Sequence, residues 1–311
     1  MGRFLKAFAI LLVFPTALSF VMSPSIAQAK FCLSLFSQGN NKTSLVRVES
    51  PLHYKIDSVK NSKGNILLIH GLGDSMAHLK KISDRLQKEG YSVLRVDLHG
   101  HGKNLERDIA NQTPIPRVLL YQSNVRDIAN LVKSLRFSNP IIIGHSYGGA
   151  IAHALTSQLT GKYKAQKLVM MAPYLRRLDH QMLTGNPFLD APIEHIAEQF
   201  MRETFRDHFE SEKRTHIQAH IETAVATTIG IRNFDILSPG KKASPDSKAP
   251  MLVLGGSKDT LVTDESLWIF RKKLEKENRP HTVAIIEGDH FFPSRNATET
   301  MRAIMDFLQR D

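Results

Sequence analysis

A serine between glycines follows an apolar run in the stretch PIIIGHSYGGA, residues 140–150. The spacing Gly144-x-Ser146-x-Gly148 is the pattern of a nucleophile elbow, a sharp turn between a strand and a helix that exposes the serine hydroxyl. The residues two before and two after the serine nearly touch in such a turn, so glycine is needed because side chains would clash there. A serine attacks a carbonyl carbon only when a base takes its proton and a carboxylate orients that base. The pattern therefore predicts nucleophilic catalysis by Ser146.

The elements that would position this serine alternate along the chain from about Ser44 onward. Apolar, β-branched runs typical of buried strands lie at Asn65–His70, Tyr91–Asp97, Pro140–Gly144, Lys167–Ala172, Pro250–Gly255 and His281–Ile286. Helical patterns lie at Leu79, Ile82 and Leu86, from Val125 to Leu135, and at Met301, Ile304 and Leu308. This alternation predicts an α/β fold, a mostly parallel central sheet with helices on both faces. Ahead of it, Leu45–Glu49 and His53–Val59 predict an antiparallel hairpin at the sheet edge.

A long stretch between Ala172 and Pro250 breaks the alternation because it shows no strand pattern. Two helical patterns occupy it, one after Asp190-Ala191-Pro192 with Ile193, Ile196, Phe200, Phe205 and Phe209, and one with Ile217, Ile221 and Val225. A long helical insertion into an α/β sheet is typical of a lid over a site. We therefore predict a cap at residues 174–249 and a core made of residues 30–173 and 250–311.

These motifs together resemble those of the α/β-hydrolase family, and the resemblance runs from about Ser44 to Asp311. Besides the serine elbow, His70-Gly71-Leu72-Gly73 resembles the family's oxyanion loop, and the stretch from Asp97 to Gly102 resembles its D-x-x-G-x-G turn. The branch that the chain resembles is the capped, lipase- and esterase-like one, which includes monoacylglycerol-lipase-like and lysophospholipase-like enzymes. The resemblance implies a serine hydrolase that uses no cofactor.

In this fold the base and its carboxylate follow late strands of the sheet. The stretch IIEGDHFFP supplies His290 after the last predicted strand, and LVLGGSKDTLV supplies Asp259 after the strand before it. The order Ser146, Asp259, His290 is the one that the fold implies. Asp289 and Asp179 are alternatives for the carboxylate, although Asp289 is disfavoured because a residue rarely points back at the ring of its neighbour.

The negative charge of a tetrahedral intermediate needs two preorganised backbone N–H donors, which form an oxyanion hole. We expect one donor from Tyr147, which follows the nucleophile. We expect the other from Leu72, which follows His70-Gly71, with Gly71 as the alternative. His70 would then shape the loop rather than act as a second base.

Two other pairs of histidines are candidates for metal ligands, but neither pair makes a convincing site. His216 and His220 stand four residues apart on a predicted cap helix, a spacing that can bind a metal ion, but no third ligand is evident. His99 and His101 lie in the glycine turn and are expected to be structural. We therefore predict neither a metal nor a cofactor.

The first residues have the anatomy of a secretory signal peptide. Arg3 and Lys6 precede an apolar run from Ala7 to Met22, and Ala27-Gln28-Ala29 is a small-x-small cleavage site. The run is short for a bilayer span and contains a proline, which favours a cleaved signal over an uncleaved membrane anchor. We therefore predict an exported protein, periplasmic or secreted, from which residues 1–29 are removed.

The chain is basic, with a formal net charge of +11 when histidines are counted as neutral. Its lysines and arginines are spread thinly and no nucleic-acid-binding motif accompanies them, so we predict no binding of nucleic acid. Loose association with an anionic membrane or envelope is compatible with this charge. Cys32 is the only cysteine, so the fold cannot depend on an intrachain disulfide.

The residues as a set predict a hydrolase of small-molecule carboxylic esters, with an apolar acyl chain held under the cap. A thioesterase or an amidase would use the same groups, as would a cofactor-free perhydrolase or a C–C hydrolase. A non-catalytic binding module on the same fold is a further alternative, but such a module has no physical need for a nucleophile, a base and a carboxylate in this order.

Overall fold

The computed structural model of the chain describes residues 50–176, 214–231, 234–238 and 248–310, except for the side chains of residues 214–217. The strands in these ranges are β1 (Tyr54–Asp57), β2 (Asn65–Ile69), β3 (Ser92–Val96), β4 (Ile141–His145), β5 (Lys167–Met171), β6 (Met251–Gly256) and β7 (His281–Ile286). They form one sheet in the order β1-β3-β2-β4-β5-β6-β7. A strand is therefore present in each of the six apolar runs.

Strands β2 to β7 are parallel to their neighbours, so their carboxyl ends meet at one edge of the sheet. Ligands of open parallel sheets bind at that edge. Strand β1 is the exception, because it pairs with β3 in antiparallel fashion, with Tyr54 opposite Val96. It lies at the sheet edge, as expected for His53–Val59, whereas its predicted partner Leu45–Glu49 lies outside the described residues. The predicted α/β fold class is confirmed.

The sheet is held by burial on both faces of its central strands. All residues of β3, β4 and β6 are buried, as are all but the first residue of β2 and of β5. Arg95 is the one charged residue in β3 and is buried as well. Its guanidinium lies 2.7 Å from the carboxylate of Asp57 on β1. This ion pair joins the antiparallel edge strand to the parallel part of the sheet.

Helices connect the strands. In the described residues they are α1 (Lys80–Lys88), α2 (Gly102–Ala110), α3 (Tyr121–Ser134), α4 (Tyr147–Gln158), α5 (Arg214–Ile231), α6 (Asp264–Lys276), α7 (Phe292–Arg295) and α8 (Ala297–Leu308). The three helical patterns of the core correspond to α1, α3 and α8, which bury Ile82, Ile128 and Ile304. No helix in the described part of the chain is long and apolar enough to cross a membrane.

Helix α5 is the described helix of the predicted cap, and it packs through small residues. It contacts α2 and α3, and the carbonyl of Ala226 accepts a hydrogen bond of 3.0 Å from the backbone N–H of Leu119. A β-carbon at Gly230 would overlap the carbonyl of Leu119, so only glycine permits this approach. The buried positions of α5 are Ala219, Thr223, Ala224, Ala226, Thr227, Gly230 and Ile231.

The expected apolar face of this helix was therefore wrong in part. Ile221 and Val225 are only half-buried, and the side chain of Ile217 lies outside the described residues. A helix can approach a backbone closely only where its side chains are short, so the small residues face the core. The other predicted cap helix, with Phe200 at its centre, also lies outside the described residues.

Candidate active site

Ser146 lies in the turn between β4 and α4, with φ 51° and ψ −118°. A non-glycine residue rarely adopts a positive φ, and such strain persists only where the surrounding structure enforces it. The backbone N–H of Ser146 donates to the carbonyl of Met171 at 2.9 Å, which anchors the turn to β5. The turn is the elbow that the glycine spacing predicts.

The two glycines of the elbow are required by close backbone approach. A β-carbon at Gly144 would overlap the carbonyl of Gly148. A β-carbon at Gly148 would overlap the carbonyls of Ile69 and His70, at the end of β2. The elbow is therefore pressed against the loop that follows β2, and both glycines serve shape rather than flexibility.

Gly148→Ala is expected to destabilise the protein by about 2 kcal/mol or more, because the new methyl group forces a backbone shift in packed surroundings. The midpoint of urea unfolding measures this loss. Gly64→Ala is the matched control, since its β-carbon would meet only the ring of Tyr91 at an ordinary distance of 3.6 Å. Equal stability of the two variants would contradict the close approach at the elbow.

His290 and Asp259 lie beside this serine in one hydrogen-bonded chain. The hydroxyl of Ser146 is 2.8 Å from Nε2 of His290, and Nδ1 of His290 is 2.9 Å from Oδ2 of Asp259. With its Nδ1–H donated to the carboxylate, the ring presents Nε2 as an acceptor to the hydroxyl. The structure thus brings together the three residues that the sequence singled out.

Asp259 is held as a carboxylate. Its burial alone would raise its pKa, but the hydrogen bond and charge of His290, together with two backbone N–H groups, lower the pKa below its ordinary value. Those N–H groups belong to Leu261 and Val262 and donate to Oδ1 at 2.8 and 2.9 Å. Oδ1 is therefore fully used by the loop, and Oδ2 is left for the histidine.

The alternative carboxylate Asp289 faces elsewhere. Its Oδ2 pairs with the guanidinium of Arg295 on α7, and its Oδ1 accepts from the backbone N–H of Phe291. It therefore stabilises the turn into α7, while Nδ1 of His290 is paired with Asp259. The other alternative, Asp179, lies outside the described residues.

The predicted oxyanion loop lies directly against the serine. A β-carbon at Gly71 would be 3.2 Å from Cβ of Ser146, which places the residue before Leu72 in contact with the nucleophile. His70 is fully buried; its Nδ1–H donates to the carbonyl of Gly71 at 2.8 Å, and its Nε2 accepts from the N–H of Leu98 at 3.1 Å. With both nitrogens engaged by backbone, His70 has the geometry of a loop-shaping residue.

Tyr147 begins α4, where a backbone N–H has no partner within the helix. Its side chain is buried and its hydroxyl accepts from Asn124 at 3.3 Å; burial raises the pKa of this phenol. The backbone of Tyr147 adjoins Ser146 in the chain, and Gly71, the residue before Leu72, is packed against the serine.

The D-x-x-G-x-G turn supports the oxyanion loop through Asp97. Its buried carboxylate accepts from the backbone N–H of Met76 at 2.8 Å and from that of Lys103 at 3.1 Å. His101 in the same turn is buried, and burial lowers its pKa to about 3. His99 is 2.8 Å from Asp127. The burial of His101 and the ion pair of His99 fit the structural role that we expect for both residues.

His145 occupies a variable position of the elbow pattern, so the sequence does not single it out. Its Nε2–H donates to the carbonyl of His290 at 2.9 Å. Burial lowers its pKa to about 3, so the ring stays neutral. The only signal in the sequence was a histidine at a position of β4 where apolar residues precede it.

Potential metal ligands are not grouped in the described part of the chain: no three His, Cys, Asp or Glu side chains there could hold one ion together. His220 lies on α5, whereas the side chain of His216 is not among those described.

Comparison with known proteins shows which family the chain belongs to. Residues 60–288, most of the chain, match the family described as serine aminopeptidase, S33. The chain belongs to this family of α/β-hydrolases. The sn-1-specific diacylglycerol lipase ABHD11 of Danio rerio is 28% identical to the hydrolase over 145 residues, which are 45% of this chain and 42% of that protein.

Longer matches place the hydrolase among lipase- and esterase-like proteins. The monoglyceride lipase of Homo sapiens is 20% identical over 253 residues, 78% of this chain and 80% of that protein. A thermophilic esterase from Thermogutta terrifontis is similar in fold, with a TM-score of 0.63, 20% identity, and coverage of 83% of this chain and 93% of that one. The chain spans only 36% to 44% of the length of several curated relatives that it matches.

Proposed function

We propose that the hydrolase cleaves carboxylic esters through an acyl-enzyme on Ser146. The observation that carries this proposal is the chain of two hydrogen bonds, 2.8 Å from Ser146 to His290 and 2.9 Å from His290 to Asp259. In this arrangement His290 takes the proton of the hydroxyl as Oγ attacks the ester carbonyl. The imidazolium that forms is stabilised by the Asp259 carboxylate.

The remaining steps use the same groups in reverse. The backbone N–H groups of Tyr147 and Leu72 hold the oxyanion of the tetrahedral intermediate. His290 then gives its proton to the leaving alcohol, and the acyl group stays on Ser146. Water attacks the acyl-enzyme with His290 again as base, which releases the carboxylic acid and restores the hydroxyl.

An ester with an apolar acyl group is the substrate that we propose. Phe291 supports this choice, because its half-buried ring lies beside that of His290 with centroids 5.5 Å apart and offers an apolar wall at the site. Two relatives are named for lipase activity on acylglycerols. The cap would add further apolar surface, a prediction that depends on residues outside those described.

A panel of substrates tests the proposal. Matched p-nitrophenyl esters with two, four, six and eight acyl carbons, a monoglyceride, a thioester and an aminoacyl amide are offered to the purified protein, and kcat/KM is measured for each. We expect esters to be the best substrates, and kcat/KM to rise a few-fold for each pair of added carbons until the pocket is full, since each buried CH₂ contributes up to about 0.8 kcal/mol.

The other outcomes of the panel separate the alternatives. The amide arm belongs in it because the family is described as an aminopeptidase family. Amide or thioester turnover above ester turnover would replace the proposed substrate class but keep the nucleophile. No turnover and no labelling of the protein by a fluorophosphonate probe would favour the non-catalytic binding module instead.

A further inference from the structure

A second aspartate–histidine–serine chain lies beside the proposed active site. Nδ1 of His78 is 3.2 Å from Oδ1 of Asp74, and its Nε2 is 2.9 Å from Oγ of Ser294. Asp74 belongs to the loop after β2 that also carries Leu72. Ser294 belongs to α7, which follows directly after His290.

The donors and acceptors of this chain favour the protonated histidine. Oγ of Ser294 is 3.1 Å from the carbonyl of Phe291, which can only accept; with its single hydrogen placed there, the hydroxyl accepts from His78. Oδ1 of Asp74 also accepts. Both ring nitrogens of His78 therefore face acceptors, and only the imidazolium, with two N–H groups, satisfies both.

This arrangement differs from that of Ser146 in the direction of the proton. In the proposed active site the ring accepts from the serine, whereas here the ring donates to it, so Ser294 is not activated as a nucleophile. Ser294 also lies in a short helix rather than in a strained elbow.

We infer that Asp74, His78 and Ser294 form a clamp, in which protonated His78 fixes the oxyanion loop against the loop that carries His290. His78 is thus a positioning residue, and this role rests on the function proposed for Ser146. The ring of Phe291 also packs on His78, with centroids 6.2 Å apart, so the clamp reaches the residue next to the base.

The groups that face His78 determine when the clamp is closed. The hydrogen bond that His78 donates to Asp74 is the largest influence and raises the pKa of His78. Burial lowers this pKa, the charge of Asp74 raises it further, and the charges of Arg295 and Lys81 lower it. Arg295 is itself paired with Asp289. The buried neighbour His145 stays neutral, because burial lowers its pKa to about 3.

A raised pKa in the folded state sets the direction of the pH effect. The clamp contributes its full stability below about pH 6.5, the ordinary value for histidine, and loses it as pH rises through the higher folded value. The clamp is therefore closed at mildly acidic pH and open at alkaline pH.

Nuclear magnetic resonance of the His78 ring tests the clamp without any turnover. In Ser146→Ala protein at pH 6, both ring nitrogens should carry protons, and the ring should titrate above pH 6.5. Asp74→Asn in that background should move the midpoint down. A ring that carries one proton at pH 6, or a midpoint that Asp74→Asn leaves unchanged, would overturn the inference.

Enzyme kinetics provide a second test of the clamp. We expect His78→Gln to lower kcat/KM on the order of tenfold at pH 6.5, since small displacements of catalytic groups are costly, and the two proteins to converge at pH 9.5, where the wild type has lost the clamp as well. His281→Gln, at the start of β7, is the matched control and should follow the wild type. A ratio that stays constant with pH would mean a merely structural role and would contradict the clamp.

Two further measurements separate the failure of the clamp from that of the proposed function. The urea midpoints of wild type and His78→Gln should differ at pH 6 and converge at pH 9.5 even if no ester is hydrolysed; equal midpoints at pH 6 would count against the clamp. Ser294→Ala, a milder change, should reproduce part of the loss. Labelling of Ser294 by a fluorophosphonate in Ser146→Ala protein would show an activated serine and overturn the assigned proton direction.

Discussion

Ser146→Ala is expected to lower kcat for ester hydrolysis on the order of 10⁶-fold, because the acyl group then has no oxygen on which to form the intermediate. Labelling by a fluorophosphonate should disappear with it. The fold should persist, because alanine also keeps a short side chain in the crowded elbow, and the free energy of unfolding should change by less than about 1 kcal/mol.

Ser134→Ala provides the matched control for this experiment. Ser134 is an exposed serine at the end of α3, and its loss should leave turnover, labelling and stability as in the wild type. Ester hydrolysis at the wild-type rate by folded Ser146→Ala protein would refute the proposed acyl-enzyme mechanism.

Asp259→Asn should lower kcat by about 10³- to 10⁴-fold while the fold is kept. The reason lies in how the loop holds the side chain. Oδ1 accepts from the N–H groups of Leu261 and Val262, so in asparagine the amide oxygen takes this place and the NH₂ group faces His290. The ring must then accept at Nδ1 and carry its proton at Nε2, where it cannot take the proton of Ser146.

Asp289→Asn distinguishes this account from its rival. Asp289 is adjacent to His290 in the chain but pairs with Arg295, so its amide variant should retain kcat within a few-fold and lose some stability of the turn into α7. The reverse result, with Asp289→Asn inactive and Asp259→Asn active in steady-state assays, would move the orienting carboxylate to Asp289.

The residues that the structure places at and beside the elbow could be picked out of the sequence because each follows a strong local rule. Gly144 and Gly148 mark a turn that no larger residue tolerates. Asp259 follows the buried strand β6, and His290 follows β7, whose apolar run predicts a strand although only its last residue is buried. The contacts of His145 and His78 could not be predicted in the same way. The carbonyl of His290 lies 145 positions from His145, and the hydroxyl of Ser294 lies 216 positions from His78. No local sequence pattern indicates such contacts.

The helices show the same limit. Apolar spacing does not indicate helix α6. Its signals are of another kind: Thr263 caps the helix by accepting from the N–H of Ser266, and Asp264 and Glu265 lie in its first turn. Helix α5 was predicted, but its buried face was wrong in part, because periodicity identifies large apolar side chains and not the close approach that small ones allow at Gly230.

Some predictions concern residues outside those described and stay predictions. They are the signal segment at residues 1–29, the hairpin strand Leu45–Glu49 and the first cap helix. The expected export, the domain boundaries and the attraction to anionic surfaces stay predictions as well. Each depends on composition or on patterns in these stretches, and none changes the geometry around Ser146.

The hydrogen bond between Ser146 and His290 joins residues 144 positions apart in the chain. A contact of such separation forms only after a long loop of chain has closed, which costs conformational entropy. During synthesis the elbow leaves the ribosome long before β7 and α7, so the nascent chain carries the serine without its base. The proposed mechanism therefore becomes possible only after His290 has been synthesised, and a chain cut short before His290 would lack the base that this mechanism needs.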